Sequence, residues 1–84
     1  MPPAAEVVFS AELTQLRLQA GLSQQALAEQ VGIRADDVER SEAGRRDVDV
    51  VELFRWCQAC GSTLDGFVER VDRRLAMASG PECH

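Results

Sequence analysis

The chain has no lysine and no tyrosine, a single histidine, a single tryptophan and only 5% aromatic residues. Without lysine, any positive surface must be built from its nine basic residues, all arginine. The histidine is the last residue, His84, and no serine–base pairing lies in reach of it, so nothing in the chain points to hydrolytic catalysis. A glycine-rich phosphate loop is missing as well. No apolar run is long enough to cross a bilayer, and no secretory leader is visible. The expected compartment is the reducing cytoplasm, with no membrane partner. The odd set of cysteines, Cys57, Cys60 and Cys83, agrees with that compartment. No segment alternates with period two over the length of a strand, which points to an all-α fold. Internal repeats and low-complexity tracts are lacking too.

With 84 residues the chain makes one small domain. A domain of this size buries only ~60–65% of its unfolded surface and is marginal as a monomer. Its hydrophobic content of 45% suffices for a compact core, and its net charge is −5. Acidic residues crowd the stretch from Asp36 to Glu52, where they outnumber the arginines Arg40, Arg45 and Arg46. A polyanionic partner would need a locally basic face on this acidic body.

Glycines divide the chain into helix-length pieces: Gly21, Gly32, Gly44, Gly61 and Gly80 all fit helix ends. The first helix is expected from about Ser10 to Ala20, with Ser10 as its cap, Phe9 as a staple, and Leu13, Leu16 and Leu18 turned inward. Residues 1–8 are read as a disordered tail. The second helix is expected from Ser23 to Val31, and the third from about Ala35 to Ala43 around Val38. The fourth starts at Asp49, where Glu52 three residues on suggests a capping box, and buries Leu53, Trp56, Cys57 and Cys60. The fifth starts at Thr63 and carries Leu64, Phe67, Val68, Val71 and Leu75 at helical spacing.

The most telling stretch is Gly21-Leu22-Ser23-Gln24-Gln25-Ala26-Leu27-Ala28-Glu29-Gln30-Val31-Gly32-Ile33. Ser23 suits an N-cap, Leu27, Ala28 and Val31 share a face, and Gly32 allows a tight exit before Ile33 re-enters the core. Two short helices joined by such a turn are the plan of a DNA-binding helix-turn-helix.

Across Leu13–Val68 the sequence resembles the lambda-repressor/Cro type of helix-turn-helix domain, the xenobiotic-response-element family. The resemblance is carried by Leu16-Arg17, Gly21-Leu22-Ser23-Gln24, Leu27-Ala28, Val31-Gly32-Ile33, Val38, Glu42, Gly44-Arg45 and Ala59-Cys60-Gly61. It implies a five-helix domain over residues 9–69; the apolar stripe continues past it, so residues 70–84 are read as a dimerising extension of the last helix and a tail. It implies an ion pair between Arg17 and Glu42. It places Ser23 and Gln24 at the DNA backbone, and Arg34, Ala35, Asp36, Asp37 and Arg40 at the major groove or its rim. Arg45 and Arg46 fall in the loop that reaches phosphate. Two departures thin the core, Ser41 in place of a large apolar residue and Ser62 in place of valine. The third helix is also acidic, and a carboxylate there repels phosphate but can accept a hydrogen bond from cytosine N4.

Two readings of the arginines stay open. They reach DNA, with Arg40 bidentate to guanine, or they pair with Asp36, Asp37, Glu39 and Asp47 on a solvated surface. The stripe Phe67, Val68, Val71 and Leu75 runs further than a small core covers, which suggests a homodimer, as in the restriction–modification controller proteins that the chain resembles. Cys57-x-x-Cys60 with Cys83-His84 has the residue types of a zinc site. A mid-helix CxxC at a leucine position reads instead as small apolar packing, so no metal or other cofactor is expected. The expected protein is therefore a bacterial or phage transcriptional regulator, a repressor, working as a homodimer on double-stranded DNA. The alternative is a protein-interaction module that turns its acidic third helix to a protein partner.

Overall fold

The structure, a computed structural model, describes residues 5–79. Helices α1 (Ala5–Gln19), α2 (Gln24–Val31), α3 (Ala35–Glu42), α4 (Val50–Ala59) and α5 (Leu64–Ser79) follow one another without strands among the described residues.

The first helix begins five residues earlier than the sequence suggested, so residues 5–8, expected in a tail, form its first turn. No glycine or proline interrupts Ala5–Gln19, and Val8 is buried. Ser10 therefore does not cap the helix. Its hydroxyl donates back to the carbonyls of Glu6 (3.0 Å) and Val7 (3.1 Å), the alternative use of a serine inside a helix. Leu18, expected inward, is exposed, since Leu13 and Leu16 define the buried side.

The other expected starts and stops are local and follow their chemistry. Ser23 Oγ accepts from Ala26 N–H at 3.0 Å, Asp49 Oδ1 from Glu52 N–H at 2.8 Å, and Thr63 Oγ1 from Gly66 N–H at 3.0 Å. The Glu52 side chain does not return to Asp49 to complete a capping box, because it is held by Arg46. At the end of α2, Gly32 sits at φ 89°, a left-handed conformation that a side chain would strain. Ile33 N–H then closes onto the Ala28 carbonyl at 3.0 Å, and equivalent bonds to Arg17, Arg40 and Cys57 carbonyls end α1, α3 and α4. The expected glycine stop at Gly80 lies outside the described residues.

The core gathers Leu13, Leu16, Leu27, Ala28, Val31, Val38, Leu53, Trp56, Cys57 and Phe67. Trp56 is fully enclosed, and its indole N–H finds the Leu13 carbonyl at 3.3 Å. Phe67 packs edge-on against Phe9, ring centroids 5.3 Å apart. Ser41 is buried at an apolar position without loss, because its hydroxyl donates to the Asp37 carbonyl at 2.7 Å and accepts from Arg46 at 3.2 Å.

Helix α5 runs beside α1 in the same sense. Phe9 meets Phe67, and Glu12 meets Arg70 and Arg74 at 2.7 and 2.8 Å. The Glu12 carboxylate is 3% exposed, so it would be costly without those cations. Arg74 faces Oε1 off the hydrogen-bond line, leaving that oxygen with a counter-charge but no directed hydrogen. Arg70 also reaches Ser62 Oγ at 3.1 Å, which gives that serine a role at its half-buried site. Because α1 lies alongside, Phe67 is 1% exposed and belongs to the chain's own core, and Val71 packs against that core. Phe67→Ala should therefore cost ~3–5 kcal/mol of unfolding free energy, read as a large fall in Tm by circular dichroism. A variant that melts with the wild type would mean that Phe67 does not carry the α1–α5 packing.

Candidate nucleic-acid interface

Helix α2, the Gly32–Arg34 turn and α3 stand on a polar knot at the end of α3. Arg17 Nε donates to Glu42 Oε2 at 2.7 Å and Nη2 to Oε1 at 3.1 Å, a two-pronged pair. Their side chains are 13% and 7% exposed. A third donor, Arg17 Nη1, takes the Leu22 carbonyl at 3.0 Å in the turn before α2. Gln24 Nε2 adds a bond to Glu42 Oε1 at 3.1 Å. One carboxylate thus gathers α1, the first turn of α2 and the last turn of α3, and ties the three helices together.

The arginines expected at DNA divide by their partners. Arg46 is bound inward: Nη1 and Nη2 hold Glu52 at 2.9 and 2.8 Å, and Nε stands 3.8 Å from Asp37 Oδ1. The Glu52 carboxylate also raises the Arg46 pKa above its ordinary value. This side chain fixes the loop after α3 to the start of α4. The expected pairing partners Asp36 and Asp37 take Arg34 and Arg40 as well. Arg34 lies 4.0 Å from Asp36, both largely exposed. Arg40, 53% exposed, donates to Asp37 Oδ1. Arg45 is exposed in the loop and makes no ion pair among the described residues.

Asp37 is placed differently from the other acids of α3. Its Oδ2 accepts the Arg34 N–H at 3.2 Å, which caps the helix from within its first turn. That backbone donor first, then Arg40 and Arg46, hold its carboxyl below the ordinary value against the opposing effect of partial burial. Asp36 and Glu39 are exposed, and Ala35 is half-buried against the core. The face outside α3 therefore presents Arg34, Asp36, Glu39 and Arg40, with Arg45 beyond its end. Ser23 is exposed but spends its hydroxyl on its cap, and Gln24 spends its amide on Glu42.

Cys57 and Cys60 form no comparable site among the described residues. Cys57 is buried and Cys60 half-buried. Burial pushes the Cys60 thiol up to about 11, with Cys57 adding to the rise. Burial raises the Cys57 thiol as well. Cys83 and His84 lie outside the described residues. Among the described residues no group of three His, Cys, Asp or Glu could hold a metal.

The helix-turn-helix domain family model matches residues 8–69. The chain belongs to that family. It is a helix-turn-helix domain of the xenobiotic-response-element type, from a family of DNA-binding regulators. Among solved structures, the clp gene regulator ClgR from Corynebacterium glutamicum matches with a TM-score of 0.85 at 22% identity, covering 98% of this chain and 87% of that one. A second ClgR structure matches with a TM-score of 0.79 at 21% identity, covering 89% and 96%. A mutant of the restriction–modification controller protein C.Esp1396I matches with a TM-score of 0.80 at 17% identity, covering 90% and 96%. At these identities the likeness shows the fold alone. Comparison with curated proteins gave no match.

Sequence reasoning paired Arg17 with Glu42 only through the family resemblance, and missed Glu52 as the holder of Arg46. It also missed the Glu12 cluster, which joins residues 58 positions apart. No local pattern signals contacts of that range. The knot at Glu42 sets an order of stabilities. Arg17→Ala and Glu42→Ala should each cost up to about 3–5 kcal/mol by stranding a buried charge. Arg46→Ala should cost less, about 1–3 kcal/mol, since Glu52 can turn to water. Urea titrations of the three variants check this order, and an Arg17→Ala variant as stable as the wild type would contradict it.

Proposed function

We propose that this helix-turn-helix domain is a transcriptional repressor that binds double-stranded DNA as a homodimer, with α3 of each protomer in the major groove of a near-palindromic operator. The observation that carries this reading is the outward set Arg34, Arg40 and Arg45 on and just beyond α3, on an otherwise acidic chain. Arg40 is the groove reader, with guanine O6 and N7 its natural acceptors, and Arg45 a phosphate contact. Arg46 and Gln24 act from behind, by fixing the loop and α2. Ser23 offers its backbone end of α2 rather than its hydroxyl. The protein is a regulator and not an enzyme, and it acts in the cytoplasm. No described helix is long and apolar enough to cross a membrane.

With few arginines free for phosphate, binding should fall only gently with salt, with a log–log slope on the order of −3 to −6 for a dimer. Selection from random duplexes at about 50 mM salt, then anisotropy on the enriched sequence, checks this. Failure to enrich any sequence would overturn the DNA reading. It would favour the second reading, a protein partner for the exposed carboxylates Asp36 and Glu39.

The dimer reading rests on apolar surface left outside the core. Val68 is 55% exposed and Leu75 half-buried on α5, and Phe54 is 47% exposed on α4. Two copies joined by this end would hold their α3 helices about one DNA turn apart, ~34 Å. Val68→Asp is the cleanest probe, because the site is open in the protomer and the change costs the fold little. Sedimentation at micromolar concentration should give a dimer for the wild type, and monomers for Val68→Asp and Leu75→Asp. A monomeric wild type would remove the homodimer.

A further inference from the structure

Asp37 is the residue of α3 whose placement fits its expected role least. A carboxylate that reads cytosine must present a free oxygen to the groove. Both oxygens of Asp37 already accept a hydrogen bond, Oδ2 from the Arg34 N–H at 3.2 Å and Oδ1 from Arg40. Its side chain is 18% exposed, whereas that of Arg40 in front of it is 53% exposed. The backbone behind it is pinned too, since Ser41 Oγ donates to the Asp37 carbonyl at 2.7 Å. Arg46 Nε, 3.8 Å from Oδ1, adds a second positive charge on the inner side.

A guanidinium carries N–H donors on three nitrogens, and the bond to Asp37 uses one from Nη2. Enough remain for a two-pronged contact to guanine. What the bond removes is freedom, because a long side chain held at its tip loses little more on binding. The carboxylate also partly neutralises Arg40, which weakens its pull on any phosphate regardless of sequence. We propose that Asp37 is a positioning residue that holds the Arg40 guanidinium ready for guanine, and that it raises sequence discrimination while lowering non-specific affinity. The proposal rests on the reading of α3 as the groove helix with Arg40 at a guanine.

The test uses the full chain, an enriched duplex, the same duplex with the Arg40-dependent base pair replaced, and a random duplex. Arg40→Ala identifies that base pair as the one whose replacement no longer matters. Asp37→Asn and Asp37→Ser should then bind the random duplex more tightly than the wild type. Their preference for the native base pair should drop about tenfold. Asparagine keeps an acceptor of the same reach for the Arg34 N–H without the charge, whereas serine is one atom too short for it, so the pair separates the clamp from helix capping; circular dichroism checks that each variant is folded. Asp37→Glu, which still offers Arg40 a carboxylate, should restore most of the preference. In the Arg40→Ala background, Asp37→Asn should cost no further discrimination. Folded Asp37 variants that keep the wild-type preference, or that lose affinity equally on all three duplexes, would overturn the proposal while leaving Arg40 as the guanine reader. A wild type that enriches no sequence, or an Arg40→Ala variant with unchanged preference, would instead remove the underlying reading and the proposal with it.

Discussion

The Glu42 carboxylate is the constraint on which the arrangement of α1, α2 and α3 depends. It is nearly buried, and it is acceptable there only because Arg17 grips it with two donors and Gln24 adds a third. Those donors come from α1 and from the first turn of α2, while Glu42 ends α3. A buried pair of this kind adds little net stability over an apolar contact of the same shape. It does fix geometry, since any rotation of α3 against α2 would break charged hydrogen bonds in a poorly solvated place. The third Arg17 donor, on the Leu22 carbonyl, brings the turn before α2 into the same knot.

The acidic excess of the chain takes on a structural meaning from the same principle. Glu42, Glu52 and Glu12 each draw arginines across element boundaries: α1 to α3, the loop after α3 to α4, and α1 to α5. Arginine suits this work because its planar fork meets both oxygens of one carboxylate. Of the arginines outside these pairs, Arg34, Arg40 and Arg45 lie on or beside α3, while Arg55 and Arg73 are exposed on α4 and α5. A net charge of −5 thus coexists with a small basic front.

How much could be read in advance follows from the range of each interaction. Ser23, Asp49 and Gly32 act within a few residues of themselves, so the starts of α2 and α4 and the turn before α3 were legible. Ser10 misled because serine serves both as a cap and as a back-bonding residue within a helix, and only the course of α1 decides between them. The α5 stripe misled in part for a similar reason. Its spacing marks an apolar face but not what covers it: Phe67 is covered within the chain, edge-on to Phe9 of α1, and Val71 packs against the same core. Arg46 has the right residue type and the right loop for phosphate, yet Glu52 lies six positions on and claims it. The sequence of α3 names the charged residues but not their order of depth, and that depth separates Asp37 from Asp36 and Glu39.

The central claim is that α3 and the loop after it form the DNA-binding front. Amide hydrogen exchange on the full chain, with and without an enriched duplex at low salt, tests it most directly. The account predicts added protection concentrated in residues 34–46 and at the amino end of α2, with α1 and the middle of α4 unchanged. Protection elsewhere with α3 unaltered would contradict it.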